Sequence, residues 1–394
     1  MSITAPLGFR AAGVAAGIKP DRLDLALVAA DGPCASAGIF TANLAKAAPV
    51  LVSREHLASG RARAIVVNAG CANAGTGEAG LADAREMAAL AASALGCAPS
   101  ELVVASTGVI GVRLPMEKLR TGIAEAGRRL SRDGGDDAAR AIMTTDTRPK
   151  QATASFSASG VTCRIGGMAK GAGMIAPNLA TMLAFFTTDA SIAPAALRRA
   201  LVDAVGASLN RITVDGDTST NDCAVVLASG ASGAPEIERD GRELDAFRHA
   251  LTDVASQLAR MLVRDGEGVT RIAEVRVEGA RSAGDADRIA RTVAESPLVK
   301  TALHGGDPNW GRVLAAVGRA GVPLDVSRVS LFIGDVQVAE AGAARDYVES
   351  QAAAAMLEDP VRLLIRLAEG DATGWIWTSD LSHGYVDINA HYRS

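Results

Sequence analysis

Aromatic side chains are scarce, with Phe, Trp and Tyr making up only 3% of the chain, so the stacking platforms that hold single-stranded nucleic acid are missing. Neither sign of charge dominates. The 40 Lys and Arg against 44 Asp and Glu leave a formal charge of −4, interleaved along the chain, which argues against non-specific attraction to nucleic acid or anionic lipid. A long apolar run is also lacking: the longest stretch free of charge, Gly171 to Thr188, contains Gly173, Pro177, Asn178 and three threonines, which excludes a transmembrane helix. Arg10 and Lys19 interrupt the Ala/Gly-rich N-terminal segment, so no secretory signal is readable and a cytoplasmic location is expected. The five cysteines (Cys34, Cys71, Cys97, Cys163, Cys223) are odd in number and show no C-x-x-C spacing. They read as reduced, mostly buried thiols instead of a disulfide framework. The five histidines show no H-E-x-x-H spacing, and with dispersed cysteines they assemble no zinc set, so no metal is expected.

What is present describes a folded chain: 394 residues, 48% apolar and 21% charged, the proportions of a globular protein of roughly two to three domains. Glycine is abundant at 41 residues, pointing to tight turns and close backbone approaches. Short β-type runs at Leu23–Val28, Ala64–Asn68 and Leu102–Ser106 alternate with amphipathic stretches near 78–96 and 115–131. Gly96 is expected to end the first helix and Pro115 to open the second. The alternation continues with helices over 193–208 and 241–263 and strands at 211–214, 224–227, 270–278, 328–333 and 361–368. This pattern predicts an α/β fold. No repeat or low-complexity linker marks a boundary, and Ser229 to Pro235 reads as a surface turn.

The segment Gly166 to Asp189 carries most of the chemical signal. Its glycines and Lys170 invite a phosphate-cradle reading, but Ala169 precedes Lys170 and Gly171 follows it, so G-x-x-x-x-G-K-[ST] fails. Thr181 follows a small Ala and opens the apolar run Met182-Leu-Ala-Phe-Phe. A threonine hydroxyl is a weak nucleophile unless a base adjoins it, and an N-terminal Thr supplies that base through its own α-amine, whose ordinary pKa of about 7.7–8.0 suits general-base work. Exposing that amine requires a cut between Ala180 and Thr181. A β-branched residue opening a strand is the plainer alternative. Asp215-Gly-Asp-Thr-Ser-Thr-Asn-Asp222 resembles the start of a Ca²⁺ loop, but Thr220 and Val226 stand where Gly and Glu are required. It reads as a turn or as polar support for a site.

Five stretches, taken in order, identify the chain as similar to the ornithine acetyltransferase (glutamate N-acetyltransferase) family. They are Ala141-Ile-Met-Thr-Thr-Asp-Thr-Arg-Pro-Lys150, Met168-Ala-Lys-Gly-Ala-Gly-Met-Ile-Ala-Pro-Asn-Leu-Ala-Thr181, Asp265-Gly-Glu-Gly-Val-Thr270, Val299-Lys-Thr-Ala-Leu-His-Gly-Gly-Asp-Pro-Asn-Trp-Gly-Arg-Val313 and Tyr385-Val-Asp-Ile-Asn-Ala-His-Tyr-Arg-Ser394. The resemblance implies a layered α/β sandwich of the self-processing N-terminal-Thr type. It further implies a cut at Ala180–Thr181 into chains 1–180 and 181–394, and an α2β2 assembly.

On that resemblance Thr181 is the nucleophile, and Thr107 with Gly108 form the oxyanion hole. Thr144, Lys170, Thr181, Glu267, Asn389 and Ser394 bind substrate. The implied reaction is a ping-pong transfer of acetyl from N2-acetylornithine to glutamate in arginine biosynthesis, without a cofactor; acetyl-CoA serves some members as a second donor, and the residues do not decide that point. Two other readings remain open at this stage: a self-processing Thr/Ser amidase or aminopeptidase that gives the acyl group to water, and a non-catalytic phosphate- or nucleotide-binding module.

Overall fold

A computed structural model describes residues 2–176 and 182–391. Thr181 and Ala180, with the expected cut between them, and Ser394 lie outside the described residues. In chain order the elements are β1 (Phe9–Val14), β2 (Leu25–Phe40), α1 (Ala48–His56), β3 (Arg61–Cys71), α2 (Gly77–Leu95), β4 (Leu102–Val109), α3 (Met116–Arg129), α4 (Gly135–Ala141), β5 (Lys150–Ala158), β6 (Val161–Lys170), β7 (Leu183–Thr188) and α5 (Pro194–Ala207). There follow β8 (Ile212–Thr213), β9 (Cys223–Ala228), α6 (Arg242–Arg264), β10 (Ile272–Ala280), α7 (Ala283–Ala294), α8 (Pro297–Gly305), α9 (Trp310–Gly318), β11 (Ser330–Ile333), β12 (Val336–Glu340), β13 (Ala343–Ala344), α10 (Glu349–Ala355), β14 (Val361–Arg366), β15 (Ala372–Ser379) and α11 (His383–His391). The fold is mixed α/β, and it divides into two compact units, the first spanning Met1–Asn210 and Asp217–Leu262, the second Arg211–Gly216 and Val263–Arg393.

The first unit is built on a sheet of order β4-β3-β2-β9-β7-β6-β5, with β1 paired to β2. Its central strands are buried on both faces, and alternation decides which core each side chain joins. Ile65 and Val67 of β3 pack with Val103 and Ala105 of β4 on one face. Ala64 and Val66 pack with Met87 and Ala88 of α2 and with Leu119 and Ile123 of α3 on the other. Gly96 ends α2 in the left-handed conformation at φ 64°, as expected, while Pro115 is the residue just before α3.

The Gly166–Gly167 pair, a candidate phosphate cradle in the sequence, lies inside β6, where both glycines permit close approach. A Cβ on Gly167 would stand 2.7 Å from Val254 of α6. The apolar face of α6, with Leu244, Phe247, Leu251, Val254 and Leu258 fully buried, repeats at three- and four-residue spacing and seats on that strand. Strand β7 follows the expected cut and pairs with β6, Leu183 opposite Lys170, so residues from both sides of position 180 share one sheet.

The second unit holds a sheet of order β13-β12-β11-β14-β10-β15-β8. Its core gathers Val275 and Val277 of β10, Ile289 and Val293 of α7, Leu363 and Ile365 of β14, and Ile376 of β15. All five cysteines are free thiols and four are buried. Among the described residues no helix is long and apolar enough to cross a membrane, and no group of three or more His, Cys, Asp or Glu side chains is placed to hold a metal ion.

Candidate active site

In the first unit, three segments bring chemistry together: the end of β4, the end of β6 and the loop 143–149. Strands β3 and β4 run parallel, with Ala69 opposite Thr107 and Gly70 opposite Gly108. Gly108 has φ 126°, and a Cβ there would lie 2.3 Å from the Gly70 carbonyl carbon. Only glycine permits both the backbone conformation and the contact. The β4 end thus packs closely against β3 and presents Thr107 and Gly108 together.

Lys170, the last residue of β6, is 8% exposed. Its ammonium donates to the Thr107 hydroxyl at 3.0 Å and to the Thr144 hydroxyl at 2.8 Å. Three residues expected at the site therefore meet at one charge. Because the Thr107 oxygen accepts from Lys170, the hydrogen of its own hydroxyl is directed elsewhere and remains available to a developing anion.

Asp146, missed by the sequence reading, organises this corner. One carboxylate oxygen accepts from Lys150 Nζ at 2.6 Å and from the Gly171 amide at 2.7 Å; the other accepts from the Thr144 amide at 2.9 Å. The side chains of Asp146 and Lys150 are fully buried. Burial alone would raise the Asp146 pKa, but the charges of Lys170 and Lys150 and the donated hydrogen bonds outweigh it and hold the group at about 2. The carboxylate thereby ties the Thr144 loop to the end of β6. Both residues fall in the 141–150 stretch, yet an Asp in a loop and a Lys at the start of β5 give no periodic signal. Lys19 adds a second ammonium nearby, donating to the Met143 carbonyl at 2.7 Å. Burial, with Arg22 and Lys170 acting in the same direction, lowers it to about 8 against the pull of Asp24 and Asp146.

Glu267 and Asn389 belong to the second unit and are also brought together. Asn389 Nδ2, on α11, donates to Glu267 Oε2 at 2.7 Å. Glu267 is 7% exposed, so it is not the solvated surface charge that its residue type alone suggests. The next residue, Gly268 (φ 67°), lies against the start of α11, where a Cβ would be 2.3 Å from the Tyr385 amide nitrogen. The Thr270 hydroxyl, in the same loop, and His304 Nδ1 both bond Asp380 Oδ2, at 2.5 and 2.9 Å. Asp380 thereby ties Thr270 to His304, near the end of α8.

Comparison with known proteins places the chain in a family. Residues 10–394 match the ArgJ family. An arginine biosynthesis bifunctional protein ArgJ of Symbiobacterium thermophilum is 51% identical over 395 residues, covering all of this chain and 98% of the relative. The protein of the same name from Geobacter sulfurreducens is 48% identical, covering 98% and 99%. A crystal structure of arginine biosynthesis bifunctional protein argJ from Bacillus halodurans is 39% identical with a TM-score of 0.52, and the whole of that chain matches 54% of this one.

Proposed function

Since the chain belongs to the ArgJ family, we propose an assignment of its residues to the steps of acetyl transfer. The protein is an acetyltransferase of arginine biosynthesis that moves acetyl from N2-acetylornithine to glutamate. We assign it acetyl-CoA as a second acetyl donor, in keeping with the word bifunctional in its relatives' names. No cofactor enters the exchange, and we place the enzyme in the cytoplasm as an α2β2 assembly.

In this reading the precursor cuts itself between Ala180 and Thr181. The freed α-amine of Thr181 takes the proton of its own hydroxyl, whose oxygen attacks the acetyl carbonyl of N2-acetylornithine. The tetrahedral oxyanion is held by the Thr107 hydroxyl and the Gly108 amide. Collapse breaks the C–N bond, the leaving amine regains the proton, and ornithine departs from an acetyl–Thr181 ester. The glutamate amine then attacks the ester through the same oxyanion hole, releasing N-acetylglutamate and restoring the hydroxyl.

The observation that carries the assignment is the Lys170 ammonium bound to the Thr107 and Thr144 hydroxyls at the end of β6. It sets a fixed positive charge behind one oxyanion donor and turns that donor's hydrogen outward. Thr144, Lys170, Glu267, Asn389 and Ser394 are assigned to the amino-acid substrates, whose carboxylate and ammonium groups call for charges of both signs. Replacing Thr181 with Ala is expected to abolish both the cut and acetyl transfer while leaving a folded protein, measured by intact mass and by formation of N-acetylglutamate. A Thr181→Ala protein that is still cut and active overturns the assignment. Steady release of acetate by the native enzyme, without transfer to glutamate, would favour an amidase.

A further inference from the structure

The segment Asp215–Asp222, which resembles a Ca²⁺ loop in the sequence, includes in the first unit a polar stretch, Thr218 to Asp222, that is tied to its neighbours along its length. The Thr218 carbonyl accepts from Asn43 Nδ2 at 2.9 Å, the Ser219 carbonyl from the Thr41 hydroxyl at 2.8 Å, and the Thr220 carbonyl from the Ala47 amide at 3.0 Å. The Thr218 hydroxyl donates to the Ala176 carbonyl at 3.0 Å. Asn221 is the member that reaches the strand ends. Its side chain is buried, and both amide hydrogens are used: Nδ2 donates to the Ala72 carbonyl at 2.6 Å, just past β3, and to the Ser106 carbonyl at 2.8 Å, in β4. Its own oxygen accepts from the Thr220 hydroxyl at 2.6 Å, which fixes the orientation of the amide.

The Ser106 carbonyl belongs to the same planar peptide unit as the Thr107 N–H, so anchoring the one fixes the plane from which Thr107 and then Gly108 project. Ala72 is anchored from its other side as well, its amide donating to the Val109 carbonyl at 2.9 Å. A single side chain thus pins the strand ends that carry and adjoin Thr107 and Gly108.

We propose that Asn221 is a positioning residue for acetyl transfer, its carboxamide clamping the Ala72 and Ser106 carbonyls so that Thr107 and Gly108 are held where the oxyanion forms. The proposal rests on the oxyanion assignment above and deepens it. Asn221 acts through these two donors and is not assigned a contact with substrate.

Asn221→Asp and Asn221→Ala separate a hydrogen-bonding role from a packing role. The Asp side chain keeps the volume but sets oxygens against two carbonyl oxygens; Ala loses the volume and admits water. The clamp predicts a fall in kcat of about tenfold to a hundredfold for Asn221→Asp with KM changed less than about threefold, and a smaller fall for Asn221→Ala. The opposite order, Ala worse than Asp, is the signature of packing alone and overturns the proposal.

The same variants are made in a Thr107→Ala background, with rates normalised to the cut protein by intact mass and folding checked by thermal melting. If Asn221 acts through Thr107 and Gly108, its substitution costs markedly less there than in the native background; losses that multiply fully overturn the proposal. Should Asn221→Asp fail to fold, Asn221→Ala carries the same two-background comparison. Thr107→Ala with native kcat sinks the oxyanion assignment itself, whereas an impaired Thr107→Ala beside a native-like Asn221→Asp sinks only the clamp.

Discussion

Adding one methyl group at Gly108 tests how much of catalysis depends on the β4 end. The Cβ of Gly108→Ala would lie 2.3 Å from the Gly70 carbonyl carbon and 2.6 Å from the Cys71 nitrogen, both main-chain atoms that no rotamer change can move. Restoring ordinary contact, which begins near 3.4 Å, requires the two strand ends to separate by about 1 Å, and a displacement of that size at reacting groups costs on the order of 100-fold in rate. The φ of 126° adds backbone strain of about 1–3 kcal/mol. Gly111→Ala is the control, because Gly111 also has positive φ, 80°, but among the described residues nothing lies within 4 Å of a Cβ there. Its variant should lose some thermal stability and keep kcat within a few fold of native. Steady-state transfer of acetyl from N2-acetylornithine to glutamate, with thermal melting and intact mass on each protein, gives the comparison. A folded, cut Gly108→Ala enzyme with kcat within threefold of native would refute the assignment of the oxyanion donors.

Asp146→Asn removes the carboxylate charge facing the fully buried Lys150 ammonium and should destabilise the protein by about 3–5 kcal/mol, read by urea denaturation; a loss below about 1 kcal/mol would contradict the buried pair. The Asp146 pKa, about 2 in the folded protein, lies below its unfolded value near 3.9. Its contribution is therefore complete above about pH 4 and lost as pH falls through 2, and the Asn variant should show a shallower acid loss over that window. Asp222 behaves oppositely: burial raises its pKa well above the ordinary range against the bonds from Ser219 and the Lys170 charge, and among the described residues Oδ2 has no hydrogen-bond partner. The folded chain then holds a proton that the unfolded chain releases, so this group lowers stability as pH rises above about 4. Asp222→Asn should remove that slope and melt higher than native at pH 8; a lower melting temperature there would contradict a neutral buried carboxyl.

Much of this architecture was legible in the sequence because periodicity reports burial directly. The α2 and α6 helices, β4, β9 and β14 all fall close to their expected spans, since each carries a clean apolar face or run. Strands β5 and β6 were harder to read: Ser155, Ser157, Arg164 and the Gly166–Gly167 pair dilute the alternation, and the glycines are explained only by the α6 side chains packed over them. At the site, Thr107, Gly108, Thr144 and Lys170 were found through family resemblance, whereas Asp146 and Asn221 were not singled out. Their roles rest on hydrogen bonds between segments as far apart as positions 72, 106 and 221, and such closure leaves no local pattern in the chain. Glu267 and Lys170 illustrate the same gap, since charge type alone suggests solvent exposure and only the folded packing buries them.

The most direct test of the account is a denaturing intact-mass spectrum of the purified protein, taken before and after brief exposure to N2-acetylornithine. Two chains meeting at Ala180 and Thr181 are expected, with the 181–394 chain gaining one acetyl group that added glutamate then removes. A single chain of 394 residues that transfers acetyl without being cut or modified would contradict it.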